Sequence, residues 1–393
     1  MAYISTSPLI GNSSGSSRNQ LRSALTPETP APMGSMDWWM VAIVLILLSI
    51  GLLMVLSSSG VIGERLTGDK YMFFKRQLLF VAIGAVFLVI SARVPRRYID
   101  AMAYPGVIAI FFLLLACLTP LGLNVNGASR WIRFGGFSVQ PMEFARIALV
   151  LYLAYFMSTK QALVKTFLKG VVPPFIVTGI LCILLLMQPD FGGAMVLVTL
   201  LFFMCLVGGT RFLYLFMTLL LGSCSAAMLV MISPYRMRRY TAFLDPFKDA
   251  LDTGYQLVQS LYALGSGGLF GMGMGNSMQK MLYLPEAHND FIMAVVGEEL
   301  GFIGISVIML LFAMFFTRCY RIIMGQSILR DKLTAFGITL VIALGAVLNM
   351  AVVLGMAPPK GVAMPFLSYG GSSLIASLIC VGLLLNYSRT SRE

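Results

Sequence analysis

The chain has 393 residues, 58 % of them hydrophobic and only 11 % charged, with a net charge of +12. That is about half the charged fraction of a soluble protein, too little to cover a globular surface, so a soluble enzyme or binding module is excluded and a membrane protein remains. The positive balance fits loops facing anionic headgroups, and nucleic acid is not expected as a partner.

In chain order, residues 1–37 form a Ser-, Pro-, Gly- and Asn-rich tail without periodicity, expected to be disordered. It lacks the charged and then apolar regions of a cleavable signal. Ten apolar spans follow, at about 39–60, 76–94, 103–121, 141–159, 171–188, 191–208, 211–233, 291–317, 333–356 and 365–387. Each is near the roughly 20 residues needed to cross about 30 Å of hydrocarbon. The expected fold is all-α and polytopic: a ten-helix membrane domain over 38–388, a large loop over 233–290 between helices 7 and 8, and a short C-terminus at 389–393. The fifth and sixth spans are separated only by "QPDFG", a tight hairpin at a membrane face. Cys117, Cys182, Cys205, Cys224, Cys319 and Cys380 lie in or beside apolar runs without CxxC spacing and read as packing residues.

An even number of spans puts both termini on one side. The tail, the loops near 93–97, 159–170, 209–212 and 318–332, and the C-terminus carry fifteen basic and five acidic residues, against thirteen and eleven elsewhere. The positive-inside rule places the first set, and both termini, in the cytoplasm. The opposite face mixes acids and bases, more than turning a chain requires, and so reads as a site. Its longest loop contains "GSGGLFGMGMGNS", where glycines permit tight turns and close approach. No strand or βαβ unit surrounds these glycines, so they are not a nucleotide fingerprint. That loop ends in "YLPEAHNDFIMAVVGEELG" (Tyr283 to Gly301), which holds the only histidine and four of the sixteen carboxylates.

Four stretches in order, "NGASRWIRFGGFSVQPMEFARIALVLYLA", "QPDFGGAMVL", "GYQLVQSLYALGSGGLFGMGMGNSMQKMLYLPEAHNDFIMAVVGEELG" and "PPKGVAMPFLSYGGSSLIASL", resemble the SEDS family, the shape, elongation, division and sporulation proteins of bacteria. The resemblance covers about residues 38–388, and "GNSMQKMLYLPEAH" is more similar to the division (FtsW-type) branch than to the elongation branch. It implies ten transmembrane helices in the bacterial cytoplasmic membrane, at the division septum. It also implies peptidoglycan glycosyltransferase activity, in which lipid II is polymerised beside a class B penicillin-binding protein and other divisome membrane proteins. Arg146, Asn289 and Pro359 depart from the usual family pattern; Arg146 keeps the charge of the common lysine and can hold phosphate bidentately.

A polymerase of this kind removes a proton from a sugar hydroxyl while undecaprenyl pyrophosphate departs. An α donor bond and a β product make a single inverting displacement the simplest route. Such a site needs a carboxylate base and cations near the diphosphate; a divalent cation (Mg2+ or Mn2+) is the one candidate cofactor. Asp290, at the loop-to-helix junction of "AHNDF", falls on the family's proposed catalytic aspartate, although an aspartate at a helix start often serves only as an N-cap. Glu286 is a possible cation ligand or a structural charge, His288 a hydrogen-bonding loop residue, and Glu298 and Glu299 members of a structural ion pair. Glu143 and Arg146 share a helical face and are assigned to a substrate cavity. Arg130 and Arg133, beside Trp131, either snorkel to headgroups or hold a lipid phosphate, as does Arg236 in "RMRR". Lys280 lies on the same face, and Lys360, Ser368, Ser372 and Ser373 resemble cavity positions of the family, although their Gly-rich setting also suits close helix packing. A serine nucleophile is not expected, because no triad can be completed. Two other functions need the same lipid-facing polar cavity: a lipid II transporter (flippase), or a scaffold that recruits the crosslinking partner.

Overall fold

The computed structural model describes residues 35–389, except 126, 136, 253, 280–283, 285, 286, 359 and 360. The first helix, α1 (Trp38–Thr67), starts where the Asp37 side chain accepts the Met40 N–H at 3.1 Å and ends at Gly68, whose φ of 73° admits the left-handed cap. Then come α2 (Met72–Arg93), the short α3 (Arg96–Ala101) and α4 (Ala103–Cys117). A small antiparallel sheet in the order β1 (Gly122–Val125), β2 (Ala128–Phe134), β3 (Phe137–Val139) follows, with Leu123 opposite Trp131 and Arg133 opposite Ser138. The chain continues through α5 (Pro141–Thr159), α6 (Val172–Met187), α7 (Phe191–Val207) and α8 (Phe212–Ile232). The remaining helices are α9 (Pro234–Leu244), α10 (Tyr255–Gly267), α11 (Ile292–Met324), α12 (Leu329–Val353) and α13 (Gly371–Ser388).

Eight of these helices are long and apolar enough to cross a membrane, α6 together with the π-helical turn Phe167–Val171 that leads into it, and α4 and α7 are shorter apolar helices at two further expected positions. The sheet falls in a stretch to which the sequence reading gave no strands, and the last span begins at Gly371 rather than near 365. Residues 364–370 instead form an irregular segment in which Phe366 takes a φ of 66°. The 233–290 region is no plain loop, since α9 and α10 occupy much of it.

Helices α5 and α13 form the buried centre, whereas α8 lies at the edge. Apolar burial does not drive helices together in lipid, so close packing must. The α2–α13 pair shows this: a Cβ at Gly382 would stand 2.1 Å from Ser91 Oγ and 2.4 Å from the Leu88 carbonyl. Charges segregate to the two ends of the bundle. At one end Arg318 pairs with Asp37 at 2.6 Å, Arg330 with Asp100 at 2.8 Å, and Arg96 with Asp331. The Asp37 N–H also donates to Ser388 Oγ at 3.3 Å, so the first and last helices meet at that same end. At the other end Lys75 pairs with Asp69, and Arg130 lies 3.9 Å from Asp190. Every one of these pairs joins residues assigned to a common face from charge counts.

Candidate functional site

The turn Ala287–Asp290 leads into α11 and carries two of the expected site residues. The N-cap of α11 is Phe291, without a side-chain cap bond, so Asp290 is not the helix cap. Its main-chain carbonyl accepts from Asn349 Nδ2 of α12 at 2.8 Å, and the same amide donates to the Val362 carbonyl at 2.7 Å. A Cβ built at Gly361 would lie 3.3 Å from Asp290 Oδ2, so a glycine lets this loop lie close to the carboxylate. The turn is also tied to the segment before α13. The Tyr369 N–H donates to the His288 carbonyl at 3.0 Å, while Ser368 Oγ donates to the Asn289 carbonyl at 2.7 Å and accepts the Met364 N–H at 2.8 Å. Gln77 of α2 closes the arrangement, with Nε2 donating to the Ser368 carbonyl at 3.1 Å and Oε1 accepting the Gly370 N–H at 3.3 Å. Helix α12 and the segment before α13, itself held by Gln77 of α2, thus fix the turn through its backbone carbonyls.

Beside the turn is a cavity of about 290 Å³, walled by His288 and Asn289, by Arg76 and Phe80 of α2, by Trp131 and Ser138 of the sheet, and by Tyr369. His288 packs between Phe73 and Tyr369, with ring centroids 5.0 and 5.6 Å away. Burial pushes the Tyr369 phenol up, against the opposing pull of the neighbouring Arg76 cation. A second cavity of about 250 Å³ shares Phe80, Phe137, Ser138 and Gly371 and continues along Ile83, Phe144 and Ile375. The pair offers a compartment of mixed polar and apolar lining abutting an almost wholly apolar one, an arrangement suited to an amphiphile.

The other expected residues lie in several places. Glu143 and Arg146 bond at 2.9 Å and are both buried; neither borders the two cavities described. Arg130 reaches the 188–190 hairpin, where Nη2 donates to the Pro189 carbonyl, while Arg133 is exposed on β2. Ser372 Oγ accepts the Gln140 N–H at 2.9 Å, joining α13 to the start of α5, and it also borders the apolar cavity. Glu298 serves its structure through hydrogen bonds rather than an ion pair among the described residues: it accepts from Ser277 Oγ and from the N–H groups of Met278 and Gln279. Both oxygens of Glu299 accept from Ser57 Oγ of α1, at 2.6 and 2.8 Å. Lys280, Glu286 and Lys360 lie outside the described residues, and Arg236 is described only by its backbone in α9. Among the described residues no group of three or more His, Cys, Asp or Glu side chains could hold a metal ion. Sequence reasoning missed Gln77, Asn349 and Tyr369 as site residues. The available signal for the first two was a lone amide in an otherwise apolar span.

A family model described as "Cell cycle protein", covering FtsW, RodA and SpoVE, matches residues 37–393. The chain is 42 % identical over 357 residues to the probable peptidoglycan glycosyltransferase FtsW of Geobacter sp. (strain M18), covering 91 % of this chain and 97 % of that one. It is equally identical, over 359 residues, to the stage V sporulation protein E of Bacillus subtilis (strain 168), covering 91 % and 98 %. Among solved structures, a chain of a peptidoglycan synthase complex that coordinates polymerisation and crosslinking superposes with a TM-score of 0.74 at 28 % identity, covering 91 % and 98 %. The rod shape determining protein RodA of Thermus thermophilus gives 0.68 at 27 %, covering 93 % and 100 %. With the match running from the cap of α1 through the turn at Asp290 to the end of α13, the chain belongs to the SEDS (FtsW/RodA/SpoVE) family of cell cycle proteins.

Proposed function

We propose that this multi-pass membrane protein is a peptidoglycan glycosyltransferase that polymerises lipid II, as the names of its FtsW relatives suggest. The observation that carries this reading is the tethered turn in which His288 and Asn289 wall a cavity of mixed polar and apolar lining, next to an apolar one, with Asp290 the next residue in the chain although it borders neither cavity. In this reading Asp290 takes the proton of the acceptor sugar hydroxyl as its oxygen attacks the anomeric carbon of the donor. The bond from that carbon to phosphate oxygen breaks on the opposite face, and the electron pair leaves with undecaprenyl pyrophosphate, turning an α into a β linkage. Arg76, at the cavity wall, supplies positive charge for the departing diphosphate, and Arg130 and Lys360 are further candidates for that work. A divalent cation, Mg2+ or Mn2+, would serve as a counter-ion of the diphosphate; among the described residues no group of three or more His, Cys, Asp or Glu side chains would hold it as a resident metal.

The protein acts in the bacterial cytoplasmic membrane, termini inward, beside a class B penicillin-binding protein and other divisome proteins; the likeness to a chain of a peptidoglycan synthase complex supports the crosslinking partner. The test is conversion of lipid II to polymer by purified protein with that partner. Asp290→Asn should abolish polymer while the variant stays folded and partner-bound. Full polymerisation by Asp290→Asn would end the catalytic assignment. Lipid II moved across vesicles without polymer would favour a transporter, and division supported by an inactive but assembled variant would favour a scaffold.

A further inference from the structure

Helix α11 is broken at Gly301, where φ is 66° and ψ is −164°. The Gly-rich segment after α10 fills the break. The Met272 and Gly273 N–H groups donate to the carbonyls of Glu298 and Glu299 at 2.9 and 3.1 Å. In return Phe302 and Ile303 N–H donate to the Gly268 and Leu269 carbonyls at 2.9 and 3.2 Å. Contact is too close for any side chain at the crossing, since a Cβ at Gly271 would stand 2.2 Å from the Glu299 carbonyl.

This ladder has an outer surface that water does not suit. Leu269 is 63 % and Phe270 79 % exposed, and Met272 and Met274 are also exposed. No Asp, Glu, Lys, Arg or His occurs from Thr253 to Gln279, although charges crowd both flanks. Depth along the bundle agrees. About 20 residues of helix cross some 30 Å of hydrocarbon. Counted back from Arg318, the first charge at the far end of α11, that length reaches the neighbourhood of Glu298. Leu269 and Phe270 therefore sit at the level of Phe302 and Ile303, which are themselves exposed on the apolar face of the span. Irregular backbone in oil must have its polar groups satisfied within the protein, and the ladder does this for the segment.

We propose that the segment around Leu269 and Phe270 is inserted in the outer hydrocarbon boundary of the bilayer, its occupant being lipid acyl chains, and that it extends the lipid-facing surface of α11. The connection between α8 and α11 is then anchored in the membrane, whatever the reaction served.

The test uses the full-length chain with Cys224→Ser, since Cys224 is exposed, in phosphatidylethanolamine–phosphatidylglycerol vesicles. A single nitroxide is placed at Leu269→Cys or Phe270→Cys, with Ile303→Cys as the lipid reference and Leu251→Cys, 92 % exposed between two acidic residues, as the aqueous one. Relaxation by oxygen, which partitions into oil, is compared with relaxation by a water-soluble nickel chelate. The expected result is an oxygen-to-nickel ratio at 269 and 270 matching that at 303 and several-fold above that at 251. A ratio matching 251 would overturn the proposal, as would exclusion of both reagents, which would mean a protein surface covers the segment.

Discussion

Replacing Asn349 by alanine isolates the positioning of the site from its chemistry. Asn349 is 1 % exposed, and its amide serves two carbonyls, those of Asp290 and Val362, at 2.8 and 2.7 Å. Each buried acceptor left without its donor costs about 1–3 kcal/mol by analogy with soluble cores, whereas hydrogen bonds between membrane helices average about 0.6 kcal/mol. The two bonds together therefore bracket about 1–6 kcal/mol. Asn349 Oδ1 has no partner among the described residues, so alanine also relieves one unmet acceptor, which places the net loss near the middle, about 2–3 kcal/mol. The released turn carries the Asp290 carboxylate with it, and a displacement of about 1 Å lowers turnover by about 100-fold. Thermal unfolding in detergent measures the first effect, and lipid II polymerisation at saturating substrate the second. A variant with unchanged thermal stability and full polymerisation would refute the claim that α12 holds the aspartate in place.

Two further outcomes concern the opposite end of the bundle. Arg318→Ala strips the buried Asp37 carboxylate of both guanidinium bonds, at 2.9 and 2.6 Å, and should cost about 3–5 kcal/mol of stability; the double variant Asp37→Asn/Arg318→Gln should recover most of it in the same unfolding assay. Burial pushes the Asp100 carboxyl above its ordinary value of 3.8, with Arg330 opposing. A raised folded value means that the stability contributed by protonated Asp100 is fully present below 3.8 and is lost as pH rises through the folded value. The stability of wild type relative to Asp100→Asn should thus improve on acidification from neutral pH, and a difference independent of pH would contradict this environment.

Much of the architecture is legible in the residues. The apolar runs locate eight membrane-length helices and two shorter apolar ones, and the counts of Lys, Arg, Asp and Glu sort the loops into two faces that the ion pairs Arg318–Asp37, Arg330–Asp100 and Lys75–Asp69 respect. The strands at 122–139 are not legible as a sheet, because short polar segments between spans look like connectors until their pairing is seen. Glu298 shows the limit for single residues. Its cost in an apolar helix signals that it must be satisfied, but which groups satisfy it is not legible: among the described residues they are a serine and two main-chain amides.

Composition and order alone thus decide that the chain crosses a bilayer, where it does so, and that polarity collects around Asp290. Which groups meet there, Gln77 from α2, Asn349 from α12 and Tyr369 from before α13, is decided by the rotation of each helix about its axis. In water an apolar stripe would reveal that rotation. Here lipid makes the outer face as apolar as the inner one, so the pattern carries no inward mark and only close packing of the assembled helices selects the partners.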